Sequence, residues 1–268
     1  MGNELAIQKK LKDDRIVEML KQRWAGDKHQ KDAFIGALVN MVKTSPQIAK
    51  CDPTSILVAA ANCAQLGLLP ISGLDHAYFV PYGDKVQLII GYKGFVELAR
   101  RTGNVKAVNV DLIYENDAFE YENGLNPLLV HVPYWLRKPP QEERGEMIGA
   151  YVVIEFDSGA RQCFVASAAE LEKRRNFSPA SKSSYSPWKK WPDEMYKKTA
   201  IKMASKLWPL SVVVAKALEL DNDAELGRIQ RADISDMMPS ATLADADDEP
   251  EEPEEQPETP ANDMGTIL

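Results

Sequence analysis

Short reversals in the middle of the chain limit what it can fold into. Ala77–Val80 and Val86–Ile90 are strand-forming runs on either side of the turn Pro81–Asp84, and Met147–Phe156 and Ala160–Val165 flank Asp157–Gly159. Strands joined by so few residues pair antiparallel, because a parallel crossover needs a dozen or more. Phe119/Tyr121 and Leu128/Val130/Val132 flank Asn123-Gly124, a third hairpin with a looser loop. Val108, Val110, Leu112 and Tyr114 alternate as a strand with one apolar face.

Helical signals surround these strands. Phe34, Ala37, Leu38, Met41 and Val42 predict a helix over about residues 30–44. Asp52-Pro53 supplies an N-cap and a first-turn proline, and Gly67 a stop. Between them Ile56, Ala60 and Ala64 make a narrow face suited to close packing. A short helix after Gly91 turns Phe95, Leu98 and Ala99 inward and ends at Gly103; a tight turn accounts for both Gly91 and Gly94. Ser167 with Glu170 forms a capping box for a helix carrying Lys173, Arg174 and Arg175. Residues 133–146, with Pro139-Pro140, read as a connector, Phe177–Ser186 as a Ser/Pro-rich loop, and Val212–Leu220 as a helix in preference to a strand.

The two ends differ from the middle. Leu5, Ile16, Met19, Leu20 and Trp24 have loose helical spacing, so residues 1–29 read as a helical arm suited to contacts between subunits. The net charge of −8 hides an asymmetry. Of 40 acids, 12 fall from Asp233 onward with no Lys or Arg; the first 232 residues hold 28 acids against all 32 bases, a net +4. Residues 233–268 are dense in Asp, Glu and Pro and carry too little apolar area to offset ordering entropy, so they read as a disordered acidic tail. Solubility and spacing, competition for a basic site, and docking of Met264–Leu268 on a partner are its open roles. Residues 30–232 are then the folded domain, and their basic balance keeps nucleic acid among the possible partners.

The most basic stretch is Tyr185–Leu210. Lys189, Lys190, Lys197, Lys198, Lys202 and Lys206 interleave with Tyr185, Trp188, Trp191, Tyr196 and Trp208. Pro192, Asp193 and Glu194 suit the first turn of a helix. At about 100° per residue, Lys198, Lys202 and Lys206 form one stripe, with Lys197 on the less polar side, where it must snorkel, pair or contact a ligand. A cationic stripe beside aromatic rings can hold phosphates and stack bases without reading their order. Three phosphates on that stripe would add roughly −2 to the log–log salt slope on single strands. The alternative is an ordinary solvated lysine face. Trp188 is either a stacking platform or core, and Arg100 and Arg101 either touch nucleic acid or complement a helix C-terminus.

Other chemistry finds little support. Cys51, Cys63 and Cys163 form no CxxC pair and read as reduced, buried side chains. His29, His76 and His131 are scattered, without metal-ligand spacing. No GxxxxGK[ST] loop, GxSxG elbow or dinucleotide fingerprint occurs, so no cofactor is expected. A metal-dependent hydrolase would draw on Asp75, Asp84, Asp111, Glu155 and Asp157, most of which fall at turns or strand ends. It stands as one alternative to nucleic-acid binding, with a non-catalytic scaffold as another. The N-terminus is polar and no apolar run approaches membrane-spanning length, so a soluble cytoplasmic protein without membrane contact is expected.

Two blocks carry a family resemblance. Gln65–Gly103, with LGLLP, GLDHAYFVPYG and VQLIIGYKGFVELARRTG, resembles the central signature of the RecT family of phage and prophage annealing proteins. Pro187–Leu210, with PWKKW, EMYKKTAIK and KLWPLS, resembles that family's basic helix. The likeness runs from about residue 30 to 220. It implies an α+β fold, a curved antiparallel sheet packed with helices. It also implies ATP-independent binding of single-stranded DNA and annealing of complementary strands in homologous recombination. Such proteins assemble as rings or helical filaments and act beside a 5′→3′ exonuclease, with a single-strand-binding protein as a further partner, in a bacterial host's cytoplasm. On the matched blocks, Lys197 and Lys198 would sit in the DNA groove, with Trp188, Lys189, Lys190 and Trp191 lining or bracing it. Lys93, Arg100, Arg101, Lys182, Lys202 and Lys206 complete the expected DNA-binding set.

Overall fold

In the computed structural model the described residues are 2–237, apart from 125–126, 139–141, 183–185 and 208–210; the side chains of 2–5, 180 and 182 are also outside the description. Helices α1 (Gly2–Lys10), α2 (Asp14–Arg23), α3 (Lys31–Thr44), the short α4 (Pro46–Ala49) and α5 (Pro53–Leu66) come first. The hairpin β1 (Ala77–Tyr82) and β2 (Lys85–Ile90) leads into α6 (Tyr92–Arg100). Strands β3 (Val105–Tyr114), β4 (Ala118–Glu122), β5 (Leu128–Val132), β6 (Met147–Phe156) and β7 (Arg161–Ser167) follow, then α7 (Ala168–Phe177), the short α8 (Pro187–Lys190), α9 (Pro192–Ala204) and α10 (Val212–Glu225). The fold is α+β.

All strand pairings are antiparallel. β1 pairs β2, β4 pairs β5, and β6 lies between β3 and β7. Asp52 caps α5 through the amides of Thr54 and Ser55, and Gly67 closes the helix at φ +62. The first hairpin is longer than its apolar runs suggest: Pro81 and Tyr82 pair with Val86 and Lys85 across a two-residue turn containing Gly83 at φ +61. Proline is tolerated there because β1 is an edge strand.

Gly91 and Gly94 need a different explanation from a shared tight turn. Gly91 is the N-cap of α6 and Gly94 lies inside the helix. A Cβ at Gly91 would collide with the Asp75 carbonyl oxygen, and one at Gly94 with that of His76. The two glycines let α6 press against the chain entering β1.

One core joins most of the elements. Ile7, Leu11, Ile16, Leu20 and Trp24 from the first 29 residues are buried with Phe34, Leu38, Leu57, Leu88 and Phe95. The first two helices therefore spend their apolar faces inside this chain, where a free contact arm would leave them open. Order also extends past residue 233: Ile234 and Met237 are buried, and Asp236 accepts two bonds from the Arg23 guanidinium at 2.7 and 2.9 Å. The acidic tail beyond them lies outside the described residues. Among the described residues no helix is long and apolar enough to cross a membrane.

Candidate nucleic-acid interface

Helix α9 carries Lys197, Lys198 and Lys202, with Lys206 in the turn just past it, and the fold turns two of these four inward. Lys198 is 3% exposed and its Nζ donates to Asp221 Oδ1 at 2.6 Å. Lys202 donates to Asp221 Oδ2 at 2.8 Å and to Glu225 Oε2 at 2.7 Å. Asp221 is fully buried and also accepts from the backbone amide of Ile90 at 3.1 Å. Burial alone would raise its pKa; the two ammonium groups outweigh that and hold it below the usual carboxylate range. Lys202 is the mirror case, with burial lowering its pKa and Asp221 and Glu225 raising it further.

The expected stripe of Lys198, Lys202 and Lys206 is thus not a continuous cationic surface. The reason is long-range: Asp221 and Glu225 stand four apart on α10 and meet Lys198 and Lys202, also four apart, on α9. Only Lys206, in the turn Ser205–Leu207, is exposed. Trp188 is likewise core, 3% exposed, edge-on to Tyr196 at 5.3 Å between centroids and beneath the Arg175 guanidinium. Tyr196 is buried and shares its hydroxyl with Glu172 and Arg175.

Other expected residues remain at the surface. Lys189 and Lys190 are exposed on α8, and Lys190 Nζ lies 5.9 Å from the ring centroid of Trp191, which is 60% exposed. Lys182 ends the turn Pro179–Lys182, with its side chain outside the described residues, as are Tyr185 and Trp208. Arg101 is tied into the fold, pairing with Glu97 at 3.4 Å and donating to the Gly67 carbonyl at 3.1 Å.

The remaining cations converge on a cleft of about 490 Å³ between α6 and β3, lined by Tyr92, Lys93, Arg100, Asn109, Asp111 and Tyr151 together with His76 and Glu97. Lys197 joins its margin through Asp111, 3.4 Å away. The acids here are already engaged. Lys93 donates to Asp75 at 2.8 Å, and this bond, with a second from the Tyr78 hydroxyl, lowers the Asp75 pKa. Glu97 faces Arg101 and Asp111 faces Lys197. Arg100 is exposed and makes no ion pair among the described residues, so it is the cation most open to an incoming anion. Burial lowers the His76 pKa, which favours a neutral ring in the cleft wall.

Tyr92, Tyr151 and Asn109 were not singled out from sequence. Tyr151 is held from behind: its hydroxyl is 3.3 Å from His131 Nδ1, and His131 Nε2 is 3.1 Å from Asp117. Asp117 also accepts the amides of Tyr114 and Tyr134, each at 2.9 Å. Phe119 stacks on the Tyr151 ring at 5.9 Å. The β4–β5 hairpin, which carries Phe119 and His131, is thereby braced on β6. Tyr151 is brought opposite Asp111 by the β3–β6 register, which spacing along the chain does not give.

Among the described residues no group of three or more His, Cys, Asp or Glu is placed to hold a metal ion. Asp75 and Asp111, two of the carboxylates a hydrolase would need, are instead partnered by lysines.

Comparison with known proteins follows the same region. The family model described as "RecT family" matches residues 32–235. Protein RecT of Escherichia coli (strain K12) is 34% identical over 193 residues, covering 69% of each chain. The uncharacterized protein YqaK of Bacillus subtilis (strain 168) is 30% identical over 215 residues, 80% of this chain and 71% of its own. The matched segment takes in the cleft, the lysine helix and the helix that neutralises it, and on that match the chain belongs to the RecT family.

Proposed function

We propose that this protein binds single-stranded DNA along the α6–β3 cleft and anneals complementary strands without ATP, working as a homo-oligomer in homologous recombination. Family membership supports a recombination and annealing role in general. The observation that carries the finer reading is the convergence of Lys93, Arg100, Tyr92 and Tyr151 on one open cleft, with Lys197 at its edge. Cations hold the sugar-phosphate chain and rings stack bases, and neither contact reads sequence. Exposed Lys189, Lys190, Trp191 and Lys206 are proposed as further contacts to the strand or the annealed duplex. Lys198 and Lys202 act by holding α9 on α10 and are withdrawn from the contact set, with Arg101 and Trp188 beside them as parts of the fold.

No fuel is required of such a protein. Base stacking contributes on the order of 1.4 kcal/mol per base-pair step, so pairing runs downhill once strands are concentrated and extended. The annealing module is assigned to residues 30–232 together with the first two helices and Ile234–Met237 that share its core, with a 5′→3′ exonuclease and a single-strand-binding protein as its proposed partners.

The test is the salt dependence of oligo-dT binding. Arg100→Gln should flatten the log–log slope by about 0.7, the value for one phosphate on a single strand. Lys93→Gln should flatten it less, because a phosphate must first displace Asp75. Unchanged slopes in both variants would remove the cleft from the DNA path.

A further inference from the structure

A second concavity lies between α7 and α10, flanking α9. Its volume is about 370 Å³, and Arg174, Phe177, Trp188, Lys202, Leu226 and Arg228 are among its lining residues. The two groups of side chains on its walls differ in character. Phe177 is 70% exposed and Leu226 44%, an apolar pair left open to water. Arg174 and Arg228 are exposed and make no ion pair among the described residues, whereas Lys202 is fully engaged by Asp221 and Glu225. The pocket therefore offers two exposed guanidinium groups without an ion pair among the described residues, beside open apolar surface. Nothing in the cleft reading uses it.

We infer that this pocket is a docking site for the chain's own acidic, proline-spaced segment 245–258, supplied by the same molecule or a neighbouring copy. That segment holds nine acids and no Lys or Arg. Within it Pro250 and Pro253 stand three apart. In an extended left-handed helix of three residues per turn, prolines at that spacing share one edge and the intervening acids take the others. Such an edge packs on exposed aromatic and aliphatic side chains, here Phe177 and Leu226, while the carboxylates reach Arg174 and Arg228 as charge-assisted pairs. The tether decides between this occupant and a nucleic-acid strand. Nine residues separate Arg228 from Met237, a contour of at most about 30 Å, and the acids begin eight residues later. Every molecule thus carries the segment within reach of the pocket, at an effective concentration on the order of millimolar.

The test uses the full chain with the nine acids of 245–258 replaced by Asn or Gln, and a labelled peptide of residues 244–260 added back, without DNA. Saturable binding is expected. It should weaken about 5-fold in the Arg174→Gln/Arg228→Gln double variant, the scale of two exposed charge pairs, and fall in Phe177→Ala. Arg100→Gln in the cleft should leave it unchanged. Both arginines are exposed, so thermal melting of the double variant should match the parent and separate lost contact from lost fold. In the unaltered chain, amide exchange at residues 226–229 should be slower than in the acid-neutralised one. Three results overturn the proposal: equal binding by the arginine variant, equal binding by a shuffled peptide of the same composition, or oligo-dT cross-linking at Phe177 that the peptide does not displace. Since the main measurement contains no nucleic acid, a failure here is distinct from failure of the cleft to bind DNA.

Discussion

Asp221→Asn isolates the interaction that removes two lysines from the proposed DNA-binding surface. In the fold Asp221 is fully buried between Lys198 at 2.6 Å and Lys202 at 2.8 Å. The amide keeps the shape and removes the charge. Lys202 retains Glu225 at 2.7 Å, but Lys198, 3% exposed, is left with Glu225 at 3.7 Å. Breaking a buried pair costs about 3–5 kcal/mol because the remaining charge is uncompensated. With Glu225 still nearby, the lower end, about 3 kcal/mol, is expected. Against a total stability of about 5–15 kcal/mol, that is a large fraction. Urea unfolding followed by tryptophan fluorescence reads it as a midpoint shift of about 1 M for a slope near 3 kcal/mol/M. Adding Lys198→Met should recover about 2 kcal/mol or more, since an apolar replacement of a buried pair is close to neutral. A loss under 1 kcal/mol in Asp221→Asn, or loss of DNA binding in Lys198→Met at unchanged stability, would refute the reasoning and return Lys198 to the DNA.

The same pair sets a pH dependence. The Asp221 pKa is depressed in the fold, so its contribution is present above the unfolded value of about 3.9 and is lost as pH falls through the folded value. The stability gap between wild type and Asp221→Asn should accordingly narrow below about pH 4, measured by urea midpoints at pH 7 and 3.5. Trp188→Ala should cost about 3–5 kcal/mol of stability with the salt slope of DNA binding unchanged, whereas Trp191→Ala should leave stability within about 0.5 kcal/mol and weaken oligo-dT binding by about 1 kcal/mol or more. Gly91→Ala should destabilise by about 2–3 kcal/mol, because its Cβ meets the Asp75 carbonyl rather than a movable side chain; a melting temperature equal to wild type would contradict the close approach of α6.

Much of this architecture was legible along the chain because its causes are local. Asp52-Pro53 and Gly67 bound α5, Ser167 and Glu170 open α7, and the short reversal within Pro81–Asp84 makes β1 and β2 antiparallel partners. Each depends on residues within a few positions of one another. The same holds for α10, whose apolar start at Val212 is readable, although its continuation to Glu225 brings in the buried Asp221. The three hairpin pairings, β1 with β2, β4 with β5 and β6 with β7, were readable from their turns, but the pairing of β3 with β6 was not. That β3 pairs with β6 follows from packing across more than thirty residues.

The candidate site divides along the same line. The sequence determined that the chain is mildly basic up to residue 232, acidic beyond it, and rich in interleaved lysines and rings near its last helices. Tertiary structure decided which of those charges face water. A helix repeats its faces every 3.6 residues wherever it lies, so spacing alone could group Lys198, Lys202 and Lys206 but not say what stood opposite. Asp221 and Glu225, some twenty residues on, turn two of them into an internal brace. Arg100 and Tyr151, fifty residues apart, become neighbours in a cleft for the same physical reason: apolar burial chooses which faces meet, and charged groups must find partners or solvent within that arrangement.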